Sequence, residues 1–281
     1  MSVACGIVGL PNVGKSTIFN AITAAGAESA NYPFCTIEPN VGIVDVPDER
    51  LARIRALIES EKVIPASLKI VDIAGLVKGA ASGEGLGNKF LGNIKETDAI
   101  LHVVRCFEND DIVHVSGAVD PIADVEVIEL ELGMADAETL QRNIERVTKK
   151  TRTGDKDAIA QKELFERALE VVEGGQSLRS VDWKGEEREL LRPLFLITIK
   201  PVLYVANVAD DDLDGRGELA SKVAEYAAAT GADFVALSGD IEGELAGMDP
   251  EEREEFQADL GITEPGLDRL ARQAYHLLGL Q

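Results

Sequence analysis

Gly9-Leu10-Pro11-Asn12-Val13-Gly14-Lys15-Ser16 is a complete G-x-x-x-x-G-K-[ST] stretch, and it follows directly on the apolar run Val3-Ala4-Cys5-Gly6-Ile7-Val8. A strand feeding such a stretch, with a helix over residues 17–25 behind it, predicts a phosphate loop. The glycines let backbone N–H groups curl around phosphate oxygens, the Lys15 ammonium reaches the β- and γ-phosphates, and the Ser16 hydroxyl is placed to ligate Mg²⁺. Val13, Gly14 and Thr17 complete the set expected against the nucleotide.

Working outward, apolar runs rich in β-formers recur at residues 41–46, 68–73, 99–104, 201–206 and 233–237, separated by helical or loop segments such as 51–60. Such alternation predicts an α/β fold: a mostly parallel sheet with helices on both faces. Ligands on such sheets sit at the carboxyl ends of the strands, so the loops after Val8, Ile73, Val104, Ala206 and Leu237 are the ones that matter. The pattern changes between about 135 and 193. Ala137, Leu140, Ile144 and Val147 recur at helical spacing, and so do Phe165, Ala168 and Val172 beyond a Thr-Gly-Asp turn at 153–155. This predicts an inserted α-helical hairpin, a short antiparallel coiled coil. The expected domains are therefore 1–134 and 195–281 for the two parts of the sheet domain and 135–194 for the insertion.

With 45% apolar residues over 281 positions, no apolar run of membrane-spanning length and no cationic leader, the chain reads as a cytoplasmic globular protein with no membrane partner, expected as a monomer. Three cysteines, Cys5, Cys35 and Cys106, make an odd count without metal-ligand spacing and fit a reducing compartment. A net charge of −22 argues against indiscriminate nucleic-acid or membrane binding, which depends on neutralising phosphates with Lys and Arg. One stretch departs from this: Arg142, Arg146, Lys149, Lys150, Arg152, Lys156 and Lys162 flank the hairpin turn. It reads equally well as a solvated helix face or as a binding patch.

The rest of the site follows from position. Asp72-Ile73-Ala74-Gly75 closes an apolar run, where a carboxylate can hold Mg²⁺ through water and the Gly75 N–H can approach the γ-phosphate. Thr36, between the first helix and second strand, can complete the Mg²⁺ shell, although a solvated loop threonine fits the spacing as well. Asn207-Val208-Ala209-Asp210 follows the run 201–206 in position to read the base, with Val208 where a guanine site carries a basic residue. Ser238 and Gly239, after the run 233–237, are placed with this set.

These residues resemble those of the YchF, or Obg-like ATPase, family, a branch of the P-loop NTPases with a Ras-like G domain. The carriers are Gly9–Thr17 with Asn12, the Tyr-Pro-Phe-Cys-Thr-Ile loop at 32–37, Asp72-Ile73-Ala74-Gly75-Leu76-Val77, the Gly-rich segment 79–90, residues 106–121 and the inserted hairpin. The resemblance covers essentially the whole chain. It implies Mg²⁺-dependent ATP hydrolysis, association with the ribosome or its large subunit, and a role in translation or stress control. It also implies a small β-rich TGS domain, which would begin where the chain ends at Gln281. Family members typically close the base-reading motif with Glu; here the residue is Asp210, which keeps guanine in play.

Ras-like switches place a glutamine after the D-x-x-G, whereas this chain places Leu76 there, which cannot orient a water. Slow intrinsic hydrolysis follows, because phosphoryl transfer is mostly positioning and charge stabilisation. Lys15 and Gly75 are the expected catalytic groups. His114, in the polar loop 108–117, is a candidate water-orienting group, with a loop histidine of no catalytic part as the alternative. His102 is expected in the core and His276 on a helix face. Asn12 either orients a K⁺ beside the phosphates or caps the loop. Three functions remain open from sequence: a slow ribosome-associated ATPase, a GTP-specific switch, or a nucleotide-gated binding module.

Overall fold

The computed structural model describes residues 3–29, 40–58, 62–73, 86–115, 117–152 and 154–280. Within them six strands form one sheet: β1 (Ala4–Val8), β2 (Val41–Asp45), β3 (Ser67–Asp72), β4 (Ala99–Cys106), β5 (Val202–Val208) and β6 (Asp233–Leu237), in the order β2-β3-β1-β4-β5-β6. All neighbours are parallel except β2, which runs antiparallel on the edge beside β3. Central β4 and β5 are buried at every residue, and that is why they read as near-continuous apolar runs, broken only by His102, Arg105 and Asn207, rather than alternating ones. Parallel order carries Val8, Asp72, Cys106, Val208 and Leu237 to the same end of the sheet.

The phosphate loop passes directly into α1 (Lys15–Ser29), which packs with α8 (Gly239–Gly247) and lies against β2 and β3. Helix α7 (Glu218–Thr230) packs on β5 and β6, and α10 (Gly266–Leu277) on β4 to β6. The amphipathic stripe of α10 buries Leu267, Leu270, Ala271 and Ala274, while His276 stays exposed. Three further helices, α2 (Glu49–Leu57), α3 (Leu86–Lys95) and α9 (Pro250–Asp259), complete the sheet domain.

Helix α4 differs from the expectation of a hairpin beginning near Ala135: it runs from Pro121 to Thr151. Asp120 caps it by accepting from the Ile122 and Ala123 amides, and Pro121 fills the first turn, where a missing N–H costs nothing. The first half, through Val125, Ile128, Leu132 and Ala135, belongs to the core of the sheet domain. From Leu140 onward its buried residues join a second, separate core with Leu164, Phe165, Ala168 and Val172 of α5 (Lys156–Glu173). One continuous helix thus serves two cores, and its apolar spacing does not register the change. Asp155 caps α5 through the Asp157 and Ala158 amides, next to Gly154 at φ 76°. Chain returning through Leu178, Trp183, α6 (Gly185–Leu191), Leu194 and Leu196 closes the second core, with the Trp183 indole N–H donating to the Leu178 carbonyl at 2.7 Å.

The seam between the cores is polar. Asp136, fully buried, accepts from the Ile197 amide (2.8 Å), the Thr198 amide (2.7 Å) and the Thr198 hydroxyl (2.7 Å). Glu129 on α4 takes hydrogen bonds from Ser177, Arg179 and the Tyr204 hydroxyl, tying the insertion to β5. Among the described residues no helix is long and apolar enough to cross a membrane.

Candidate nucleotide site

Gly9-to-Ser16 leaves β1 as a tight loop with three positive-φ residues: Gly9 at 153°, Asn12 at 63° and Gly14 at 95°. Gly9 and Gly14 are required by close approach as well, since a Cβ on Gly9 would strike the Val103 carbonyl and one on Gly14 the Asn207 side-chain amide. Val13 is buried in the core beneath the loop, whereas Ser16 is exposed and Thr17 half-buried at the start of α1.

Lys15 is 7% exposed and donates from Nζ to the Leu10 carbonyl at 2.5 Å. Burial pushes its ammonium down to about 8, and Asp72 partly opposes the shift. Burial likewise raises the Asp72 carboxyl, with Lys15 pulling it back. Asp72 stands in register with Ile7, so the carboxylate expected at Mg²⁺ ends the strand next to β1, which feeds the phosphate loop. A buried ammonium and a half-buried carboxylate, each disfavoured by burial and each favoured by the other, form an arrangement that phosphate oxygens and a divalent ion would fit. Among the described residues no three His, Cys, Asp or Glu side chains cluster to hold a metal. A lone hydroxyl and carboxylate suit Mg²⁺, which keeps several waters and shares its shell with substrate phosphates. Thr36 and Gly75, with Cys35 and Leu76, lie outside the described residues.

Asn207, at the end of β5, joins two loops. Its Nδ2 donates to the Val13 carbonyl at 3.0 Å, and its Oδ1 accepts from the Gly239 amide at 2.9 Å. Buried Ser238 donates to Asp210 Oδ1 at 2.7 Å and accepts from the Ile241 amide, capping α8. The structure therefore brings Asn207, Asp210, Ser238 and Gly239 together beside the phosphate loop, with Asp210 exposed. Val208 corrects the grouping: it is 2% exposed, paired in register with Cys106 and part of the sheet core, so its side chain offers no face to a base. Alternation along the strand sends Asn207 and Val208 to opposite sides.

The loop after β4 forms the other wall. Asn12 Nδ2 donates to the Val113 carbonyl at 3.1 Å, and His114 Nε2 lies 2.9 Å from Asp124 Oδ2 in the first turn of α4. Both His114 and Asp124 are buried, and burial raises the Asp124 carboxyl while His114 opposes it. His102 is a core residue, 1% exposed, pushed down to about 4 by burial and 5.4 Å from the Tyr204 ring. Sequence reasoning missed Asp124, and it missed Arg105, whose guanidinium binds three carbonyls of the 107–112 loop. A charged residue directly after the mostly apolar run 99–104 is the available signal.

A glycine-lined loop between a central parallel strand and a helix, with a buried lysine, a strand-end aspartate and an asparagine bridging to a Ser-Gly turn, defines a P-loop nucleoside triphosphatase of the G-domain type. A family model described as 50S ribosome-binding GTPase matches residues 4–150. The ribosome-binding ATPase YchF of Bacillus subtilis is 52% identical over 282 residues, covering 100% of this chain and 77% of the relative, and that of Escherichia coli O157:H7 is 52% identical over 281. The solved structure of the Schizosaccharomyces pombe YchF GTPase superposes with a TM-score of 0.86 at 36% identity, covering 99% of this chain and 76% of that one. The chain belongs to the YchF family.

Proposed function

We propose that the chain is a ribosome-associated ATPase that cleaves ATP to ADP and phosphate with Mg²⁺, slowly when alone. The observation that carries the reading is the Lys15 site: a buried ammonium at the end of the phosphate loop, held on the Leu10 carbonyl, with Asp72 as the nearby carboxylate. Lys15 would bind the β- and γ-phosphates, and backbone amides of 12–17 would hold the remaining oxygens. Ser16 and Asp72, with Thr36, would hold Mg²⁺, which when bound neutralises charge developing on the transferred phosphoryl group. Gly75 would meet the γ-phosphate, and His114, oriented by Asp124, would position the attacking water in place of the missing glutamine. Asn12, whose amide nitrogen is spent on Val113, would offer its oxygen to K⁺.

Relatives differ in the base their names assign, the bacterial ones being called ATPases and the fission-yeast one a GTPase. With Val208 turned into the core, no basic stem covers the base, and this favours ATP. The Ser238-held carboxylate of Asp210 supports a second reading, a GTP switch. Side-by-side titration with ATP and GTP decides: ATP is expected to bind at least as well, and a tenfold preference for GTP, about 1.4 kcal/mol, would overturn the assignment. For the ribosome, the exposed Arg146, Lys149 and Lys150 at the far end of α4 are the proposed contact. Their joint reversal to Glu should weaken co-sedimentation most at low salt while ATP affinity stays unchanged; unchanged co-sedimentation across a salt series would remove the hairpin from the contact.

A further inference from the structure

Arg105 is the largest fully buried side chain among the described residues, yet it forms no salt bridge within them. Its donors go to carbonyls: Nε to Phe107 at 3.1 Å, Nη2 to Asn109 at 3.0 Å and Nη1 to Ile112 at 2.9 Å, with its Cζ 4.7 Å from the centre of the Phe107 ring. A buried cation is costly unless its donors are satisfied, and here the segment 107–112 wraps around the guanidinium to satisfy them. The loop brings few other interactions of its own, chiefly the Asp111 amide on Asn109 Oδ1 and the Ile112 amide on the Asn109 carbonyl. Val113 and Val115 point outward at 76% and 56% exposure, so apolar burial does not shape this segment.

The loop so formed ends on the phosphate site. Val113, next after the Ile112 carbonyl that Arg105 holds, presents the carbonyl that fixes Asn12 in its positive-φ turn, and His114 follows against Asp124. Arg105 also pairs in register with Asn207, so the residue shaping the β4 loop and the residue tying the phosphate loop to the start of α8 sit side by side on adjacent strands.

We propose that Arg105 is a positioning residue for nucleotide hydrolysis: its three-carbonyl clamp sets the 107–115 loop, and through it the placement of Asn12 and His114 over the phosphates. The planar fork is what the geometry uses, because three donors must meet three carbonyls in one plane at fixed angles; a lysine keeps the charge but cannot do this. Phosphate binding itself runs through Lys15 and backbone amides that Arg105 does not touch. Loss of the clamp therefore acts on turnover more than on affinity. The kinetic part rests on the hydrolysis reading above.

Arg105→Lys and, as a milder change that removes only the ring beneath the guanidinium, Phe107→Leu are compared with the parent in the full chain. Three quantities are measured: amide hydrogen exchange over 107–115, affinity for Mg·ATP, and kcat per folded molecule. Arg105→Lys is expected to speed exchange in the loop at least tenfold and lower kcat at least tenfold, with affinity within threefold of the parent. Phe107→Leu is expected to move exchange and kcat the same way by about threefold, and it carries the test if the lysine variant does not fold. Unchanged loop exchange in a folded variant would overturn the clamp. Faster exchange with kcat unchanged would overturn the positioning role. If the parent itself hydrolyses neither ATP nor GTP, the hydrolysis reading fails and takes the kinetic part with it, while exchange still decides whether Arg105 sets the loop.

Discussion

The two ends of α4 lie in regions built on different principles. At the sheet end, the phosphate site is made by backbone: three positive-φ residues, two glycines with no room for a Cβ, and an asparagine stitching two loops. At the other end, the inserted hairpin is made by side chains, an apolar stripe from Leu140 to Val172 facing inward and charged residues facing water. Backbone-built sites tolerate almost no substitution at a few positions, whereas a helical pair tolerates many as long as volume and pattern hold. Asp136 and Glu129 join the two by buried hydrogen bonds, but each end has its own core, so changes at either end should have separable effects.

The largest separation is expected at Gly14. Gly14→Val places a branched side chain at φ 95° against Asn207 and should lower nucleotide affinity by at least about 100-fold. Far-ultraviolet dichroism and the insertion's core should be untouched, and nucleotide binding as in the parent would break the comparison. The reverse case is Asp136→Ala, which leaves the Ile197 and Thr198 amides buried without acceptors. It should cost about 3 kcal/mol and roughly 8 °C in melting temperature while leaving ATP affinity within twofold. A matching loss of affinity would mean that the regions are not separable.

Acid sharpens the same contrast in the sheet core. His102 has a folded pKa of about 4 against an ordinary 6.5, so the unfolded chain binds the extra proton first. Stability should fall by about 3 kcal/mol as pH drops from 6.5 to 4, and His102→Gln should flatten that slope in urea melts. At the phosphate loop the sign is opposite in use. Nucleotide phosphates would raise the Lys15 pKa from about 8, so binding takes up a proton and affinity should decline about fourfold between pH 7 and 8.5. A flat binding profile over that range would remove Lys15 as the titrating group.

Much of this was legible in the sequence because the relevant signals are local. The phosphate loop is specified by residue types at fixed spacing, and β6 falls at 233–237 as read, since apolar runs bounded by polar turns mark buried parallel strands. The insertion is read from about Ala135, but the helix that enters it begins at Pro121, because helical periodicity is the same whether the stripe faces a sheet or a partner helix; the Asp120-Pro121 cap marks that start. The orientation of Val208 follows from strand alternation once β5 is extended to residue 208. The Arg105 clamp and the His114–Asp124 pair were out of reach, because each depends on which loop carbonyls and helix termini meet in space.

Calorimetric titration of Mg·ATP into the parent and into Lys15→Ala asks whether this buried ammonium anchors the nucleotide. No second cation lies within residues 9–16, so removing this one leaves the β- and γ-phosphates without a charged partner in the loop. One binding site per parent chain is expected, with at least about 100-fold weaker binding in the variant. Equal affinity in the two would contradict it and would place the nucleotide elsewhere on the molecule.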